Sequence, residues 1–248
     1  MTKQKKPVKT SVLEDAWKLF NKNKFDDALS VFDALLQKGE DLQAKYGKAC
    51  TLFRIMDYEG ALAELSELIV AEPENVSYHH TRALIYGADE QYDLALEDLE
   101  KLTELHPDNG ELWCDLGGLY LVLEQYVKAR DCFERSADID KSCPCAWFGK
   151  GSVALYLKEY YKALEYLNIA IKLDAKHRLA YMARAETLFC SSRKKDALKD
   201  LKKVLSTDKG FFEDLKGFLD DSSTDDSEDS KEKMQREDLD DEDAMEVY

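Results

Sequence analysis

A repeat of about 34 residues constrains this chain more than any other feature. One alanine recurs along most of the sequence, as Ala28, Ala61, Ala95, Ala129, Ala163 and Ala197. The intervals between these marker alanines are 33, 34, 34, 34 and 34 residues. A fixed period of this size is typical of a stacked array, in which each unit contacts mainly its neighbours. The sequence therefore predicts one elongated unit of about six repeats.

Within one repeat, apolar and small residues follow two helical faces. In the stretch 110–144, the first face holds Trp113, Gly117 and Tyr120, and the second holds Ala129, Phe133 and Ala137. The gap between the faces leaves room for a turn around residues 124–126. Each repeat is therefore predicted to be two antiparallel helices, whose small residues let the backbones approach. The chain has only 11 Gly and 4 Pro, which favours helices over a turn-rich β fold.

This pattern resembles the tetratricopeptide repeat. The large, small and alanine positions of that family are matched best by Trp113, Gly117, Tyr120, Ala129, Phe133, Ala137 and Pro144, with the proline two residues late. The resemblance covers about residues 9–211. It implies an all-α fold, a right-handed α-α superhelix of about six helical hairpins. It implies no particular function beyond a scaffold, because the family uses one fold for many partners.

The two ends of the chain differ from the repeats. Residues 1–10 are predicted to be a basic disordered arm, and Ser11 with Glu14 has the form of a capping box that would open the first helix. The array with its end helix is predicted over 11–219. Within it, residues 211–219 carry an apolar stripe and are predicted to cap the last hairpin. The alternative is a detachable segment that folds into the array's own groove or binds another protein.

An acidic tail is predicted at residues 220–248. It holds 14 acidic and 3 basic residues, so it carries −11 of the total charge of −16. It has too few apolar residues to form a core, and we expect it to be disordered. Ser222 and Ser223 each have an acid three residues later, which resembles a site for an acidophilic kinase. The alternative is a tail that only solvates the protein.

Composition also limits the partners and the compartment. The array is mildly acidic, so it offers no concentrated basic face and nucleic acid is not an expected partner. No apolar run approaches the ~20 residues of a membrane span, and the polar N-terminus lacks the core of a signal peptide. The six irregularly placed cysteines favour free thiols in a reducing compartment. We expect a cytoplasmic protein, with the nucleus as the alternative because of the basic residues 3–6.

Motifs of catalysis, cofactor binding and metal binding are missing, so no enzyme, cofactor or metal is predicted. Residues 149–152 (Gly-Lys-Gly-Ser) superficially resemble a phosphate loop, but the repeat phase puts them inside a helix. His79 and His80 are adjacent, so their rings diverge on a helix, and His79 falls at an aromatic core position. Cys143 and Cys145 lack the second pair of ligands that a zinc site needs.

The resemblance implies that the first helix of each repeat lines a concave groove. The positions that face this groove in the family hold mostly apolar and aromatic side chains here: Tyr46, Phe53, Arg54, His80, Leu84, Leu121, Phe148, Leu155, Tyr156, Met182 and Phe189. Such a surface indicates a binding site for an apolar peptide or an amphipathic helix of another protein. The predicted function is a non-catalytic adaptor.

Two alternatives stay open. Part of the apolar stripe could pack between neighbouring first helices instead of facing a partner. The chain could also be a structural subunit of a larger assembly that uses its convex face or its terminal helix.

Binding of chaperone C-termini is not supported. Family members with this activity hold a carboxylate with Lys, Arg and Asn at fixed positions. At those positions the first three repeats have Leu13 and Trp17, then Gly47, then Ser77 and Thr81. Recognition of a carboxylate needs fixed positive donors, and no register of the repeats supplies them.

Overall fold

The computed structural model describes residues 8–39 and 41–207, which form twelve helices and no strand. The first helices of the six repeats are α1 (Val8–Asn21), α3 (Leu42–Arg54), α5 (Val76–Ala88), α7 (Gly110–Val122), α9 (Pro144–Tyr156) and α11 (Arg178–Cys190). The second helices are α2 (Phe25–Leu36), α4 (Tyr58–Ala71), α6 (Tyr92–Leu105), α8 (Tyr126–Ile139), α10 (Tyr160–Leu173) and α12 (Lys194–Thr207). The predicted all-α array of six hairpins is confirmed.

The predicted start of the first helix was wrong. Helix α1 begins at Val8, so its backbone is already helical before Ser11. Ser11 therefore lies inside the helix and cannot be its N-cap, because an N-cap residue has non-helical backbone angles. Residues 8–10, which the sequence assigned to the basic arm, lie in this helix. Outside the described residues lie the rest of that arm (1–7), the capping segment 211–219 and the acidic tail 220–248 with Ser222 and Ser223.

The helices stack in chain order. Each helix packs against the next one along the chain, from α1 against α2 to α11 against α12. Neighbouring first helices also meet: α1 with α3, α3 with α5, α7 with α9 and α9 with α11. Over the described part of the chain, helices further apart make no comparable contact. This pattern of contacts is that of an α-solenoid.

A residue in the left-handed conformation ends the first helix of every repeat. These residues are Asn23, Met56, Glu90, Glu124, Lys158 and Ser192, with φ between 57° and 64°. Each lies five residues before a marker alanine. The N–H of the following residue donates to a carbonyl five residues earlier, as from Gln125 to Tyr120 and from Glu159 to Ala154, both at 2.8 Å. This pattern closes a helix end and reverses the chain in the same way in each repeat.

The marker alanines are buried where the two helices of a repeat cross. Their exposure is 0% in five repeats and 3% at Ala197. Ala61, Leu65 and Leu68 on α4 pack with Ala49 and Leu52 on α3, and corresponding positions form the core of the other repeats. A side chain larger than alanine would push the two helices apart, so the period seen in the sequence is the period of this crossing.

Large and small residues are matched between consecutive repeats. A Cβ atom on Gly47 of α3 would lie 2.3 Å from the ring of Phe32 on α2, and one on Gly149 of α9 would lie 2.2 Å from the ring of Phe133 on α8. Where the second helix carries leucine instead, the following helix has a side chain: Leu65 precedes Thr81, Leu99 precedes Asp115 and Leu167 precedes Ala183. A phenylalanine at this position therefore requires a glycine in the next repeat.

We predict that Gly149→Ala lowers the free energy of unfolding by about 1–3 kcal/mol, because overpacking outweighs the higher helix propensity of alanine. The double variant Phe133→Leu/Gly149→Ala reproduces the pairing of Leu167 with Ala183, and we expect it to recover part of that loss. Urea unfolding followed by circular dichroism measures both. The single variant Phe133→Leu completes the cycle, and a double variant whose loss equals the sum of the two single losses would contradict the matched packing.

A second prediction concerns the turns. Lys158 is exposed and left-handed, so Lys158→Gly removes backbone strain without removing a packed side chain. We expect it to raise the free energy of unfolding by about 0.5–1 kcal/mol. This is the difference between the backbone strain that is relieved and the larger conformational entropy that glycine loses on folding. Asn23→Gly is the matched control. It should raise the free energy of unfolding by less, because asparagine tolerates the left-handed conformation. Equal increases for the two variants in urea titrations would argue against backbone strain at Lys158.

Candidate functional site

The candidate site lies between α5 and α7, which are neighbouring first helices. Every other such pair in the described chain makes close backbone contacts, whereas α5 and α7 do so to a lesser degree. Between them lies a cavity of about 290 Å3, and we call it the α5–α7 cleft. Its walls include Leu84 and Gly87 of α5, Tyr92 and Leu99 of α6, and Gly118 and Val122 of α7.

The wall of the cleft contains one acidic residue. Asp115 of α7 occupies the position at which α3 and α9 carry Gly47 and Gly149. Those glycines sit directly against an aromatic ring of the preceding helix. The side chain of Asp115 lines the cleft.

The lips of the cleft are apolar and exposed. Leu84 is 37% exposed on one side, and Val122 is 60% exposed on the other. Gly118 of α7 also lines the cleft, and a Cβ atom on it would meet nothing within 4 Å. An apolar cavity of this size with exposed aliphatic lips has room for one large apolar side chain of a ligand.

A larger cavity of about 440 Å3 lies between α5 and α6 near the Pro73 turn. Its wall contains His79, Asp98 and Lys101. Asp98 is already held by the guanidinium of Arg82, which donates to both carboxylate oxygens at 2.6 and 2.8 Å. This larger cavity is therefore lined by an ion pair that holds the repeat together. For that reason we take the α5–α7 cleft as the candidate site.

The predicted groove residues differ in exposure. Tyr156, Phe189 and Leu84 are 59%, 62% and 37% exposed, and Arg54 is exposed as well. Six are half-buried: Tyr46, Phe53, His80, Leu121, Phe148 and Met182. Leu155 is 9% exposed and packs in a core with Ala163 and Leu167. Leu155 therefore belongs to the packing of its own repeat and offers no surface to a partner.

Several of the half-buried aromatic residues bind neighbouring helices. The hydroxyl groups of Tyr46 and Thr81 share a hydrogen bond of 2.8 Å, and burial raises the pKa of Tyr46 to about 12. The ring of Phe148 lies 5.0 Å from that of His177. Part of the predicted groove surface therefore packs between neighbouring helices, as the alternative interpretation of the sequence proposed. The Tyr156 ring stacks on Tyr126 at 5.5 Å, yet it remains accessible.

A cluster of ionisable side chains lies at the edge of the cleft. Nε2 of His80 on α5 is 2.6 Å from a carboxylate oxygen of Asp115 on α7. Glu111 is one helical turn before Asp115, and the ligand atoms of all three residues lie within 4.8 Å of one another. The hydrogen bond with Asp115 raises the pKa of His80 above its usual range, although burial opposes the rise. These three groups could hold a metal ion.

Sequence reasoning missed this cluster. It judged His80 against its neighbour His79, whereas its partners are contributed by the next repeat. The 34-residue period places His80 beside Cys114 in the following helix, and hence next to Asp115. Comparison of adjacent positions across repeats would have found the pair.

Two other sequence interpretations are confirmed. His79 is a packed imidazole: its Nε2 lies 2.8 Å from the carbonyl oxygen of Pro73, and the indoles of Trp113 and Trp147 donate to carbonyls at the same place one and two repeats later. Residues 149–152 lie within α9 and do not form a phosphate loop. A Cβ atom on Gly151 would lie 2.6 Å from Leu167, which places this glycine at a small packing position.

None of the described helices is both long and apolar enough to cross a bilayer. Models of the tetratricopeptide repeat match residues 13–76, 88–147 and 146–177. Comparison with curated proteins gives no match.

Solved structures of helical-repeat proteins resemble the chain. PilF of Pseudomonas aeruginosa has a TM-score of 0.67 at 13% identity, covering 86% of this chain and 97% of its own. A tetratricopeptide repeat protein from Parabacteroides merdae has a TM-score of 0.64 at 19% identity, covering 80% and 79%. The Cut9–Hcn1 hetero-tetramer of the APC/C contains a chain with a TM-score of 0.73 at 16% identity, covering 82% and 40%. These likenesses show the fold alone.

The His80–Asp115 contact gives a pH prediction. Because the pKa of His80 is raised on folding, its contribution to stability is fully present below about pH 6.5, its unfolded value, and is lost as the pH rises through the folded pKa. We expect Asp115→Asn to lower the pKa of His80 and to weaken this pH dependence. NMR titration of the imidazole in the presence of a chelator measures the shift, with His106 as an internal reference. An unchanged His80 pKa in the variant would refute the assignment.

Proposed function

Since this chain belongs to the tetratricopeptide repeat family, we propose that it is a non-catalytic protein-interaction adaptor. Its ligand is an apolar segment of another protein, helical or extended, that lies along the first helices of the repeats. The α5–α7 cleft receives one large apolar side chain of that segment.

The observation that carries the proposal is the pair of exposed aliphatic side chains on the two lips of the cleft. Leu84 and Val122 are 37% and 60% exposed beside an apolar cavity of about 290 Å3. A ligand side chain that fills this cavity covers both lips. Burial of one large apolar side chain stabilises a complex by about 1.5–3 kcal/mol. One such contact gives weak binding, so several contacts along the array are needed.

Further contacts are available in the following repeats. Val122 and Tyr156 occupy the same repeat position, 34 residues apart, and Phe189 lies in the next first helix. Tyr156 and Phe189 are each more than half exposed. A segment that spans repeats 3 to 6 would contact these residues in turn. Large exposed apolar side chains on three successive first helices support a long ligand more than a compact one.

A structural subunit of a larger assembly is the second candidate. Three apolar side chains on second helices favour it: Val70, Leu105 and Tyr161 are 82%, 63% and 85% exposed. They lie outside the α5–α7 cleft and would serve a partner on another face. The two candidates therefore predict that different surfaces are needed.

We place the adaptor in the cytoplasm, with the nucleus as the alternative. All six cysteines lie in the described part of the chain as free thiols, two of them exposed. Exposed free thiols persist in a reducing compartment, whereas an oxidising one would expose them to disulfide formation.

The test compares two matched double variants. Leu84→Lys/Val122→Lys places charge on both lips of the cleft, and Val70→Lys/Tyr161→Lys places the same charge on second helices. All four side chains are exposed, so both variants should keep the helical spectrum. We expect the cleft variant to lose at least about tenfold in the recovery of bound proteins, because two apolar contacts are replaced by buried charge. Proximity labelling with quantitative mass spectrometry measures this recovery.

The control decides between the candidates. If the cleft variant keeps its partners while the second-helix variant loses them, the assembly candidate replaces the adaptor. If neither variant changes the set of partners, the proposed binding surface is wrong.

A further inference from the structure

The cluster of His80, Glu111 and Asp115 has the donor set of a metal site. One imidazole nitrogen and two carboxylate oxygens lie within 4.8 Å of one another. The nitrogen belongs to α5, and the two carboxylates stand one turn apart on α7. Packing between two repeats therefore brings three donors together that are 31 and 35 residues apart in the chain.

The charges in this cluster do not balance within the protein. Among the described residues, no lysine or arginine forms an ion pair with Glu111 or Asp115, and His80 is the partner of Asp115 at 2.6 Å. Two carboxylates thus face one imidazole; His80 and Asp115 are half-buried, and Glu111 is exposed. Neighbouring carboxylates repel each other, and a cation bound between them relieves that repulsion. A divalent ion would supply that charge.

We propose that His80, Glu111 and Asp115 bind a divalent transition-metal ion of the Zn2+ class. The imidazole ligand favours zinc over Mg2+ or Ca2+, which prefer sites made of oxygen alone. On binding, the proton of the hydrogen bond between His80 and Asp115 is released to solvent, and Nε2 of His80 and the Asp115 carboxylate then each bond to the ion. Three protein ligands leave a fourth tetrahedral position for water.

The ion would join the first helices of repeats 3 and 4. Its ligands come from α5 and α7, and Asp115 also lines the cleft between these helices. Binding therefore fixes the separation of α5 and α7. This site is independent of the proposed adaptor function, because it needs no protein partner.

Cysteine thiols are the competing ligands. Cys114 precedes Asp115 on α7, Cys143 is the N-cap of α9, and Cys145 is exposed in the first turn of α9. A thiolate is a strong zinc ligand, so metal binding alone would not identify the site. The experiment must separate a site with thiolate ligands from one without them.

The test uses the full chain without an affinity tag, stripped with a chelator and titrated with Zn2+ by calorimetry. We expect one ion per chain. Either His80→Gln or Asp115→Asn should weaken binding at least ~100-fold, the upper end of what loss of a supporting group costs a metal site. His106→Gln is the matched histidine control and should keep wild-type affinity. Zn2+ should raise the melting temperature of the wild type and not that of the two ligand variants.

Cobalt distinguishes the ligands. The double variant Cys143→Ser/Cys145→Ser should bind Zn2+ as the wild type does, and Co2+ bound to the wild type should show no sulfur-to-metal charge-transfer band. Such a band, or loss of binding in the cysteine variant, would assign the ion to the thiols and overturn the proposal. A wild type that binds no stoichiometric ion overturns it as well, as do ligand variants with unchanged affinity. Asp115→Asn keeps the size of the side chain, and circular dichroism confirms the fold of each variant.

Discussion

The contact between the second helix of one repeat and the first helix of the next sets the shape of the whole array. Where the second helix carries a phenylalanine, the next helix has glycine and comes close enough to cover the ring, as with Phe133 and Gly149. Where α7 carries Asp115 at that position, this residue lines the cleft between α5 and α7. One residue position therefore takes part both in the packing between repeats and in the wall of a cavity.

Inside each repeat, the backbone fixes how the two helices pack against each other. The side chains at one contact between the two helices therefore differ in chemistry from repeat to repeat. Residues 16 apart meet as Lys48 with Glu64 at 2.9 Å, Arg82 with Asp98 at 2.6 Å and Arg184 with Asp200 at 2.6 Å. In repeat 5, Lys150 lies over the ring of Tyr166 at 4.8 Å, and repeat 4 has the apolar residues Leu116 and Cys132. A buried ion pair is thus one of several solutions, which agrees with its small net effect relative to an apolar pair.

The period of the marker alanines and the face patterns predicted the helices, the turns and the packed state of His79, because these follow from contacts within one repeat. The start of α1 at Val8 could not be predicted, since the capping-box pattern at Ser11 is equally compatible with the inside of a helix. Leu155 and Tyr156 show a second limit. They are neighbours on α9, yet one is buried and the other exposed, because one residue turns a helix by about 100°. The cluster of His80, Glu111 and Asp115 depends on the offset between two repeats, which no pattern inside a single repeat contains.

The cleft and the carboxylate–imidazole cluster belong to the same joint, and this has a thermodynamic consequence. An apolar side chain bound in the cleft, as we propose, would hold α5 and α7 at one separation, and the proposed ion between His80 and the carboxylates of α7 would do the same. If the two separations agree, each ligand would strengthen the binding of the other, and if they differ, each would weaken it, by the same factor in both directions. Asp115 is common to both sites, because it contacts His80 and also lines the cleft. Coupling of this kind would therefore be local to the joint between repeats 3 and 4.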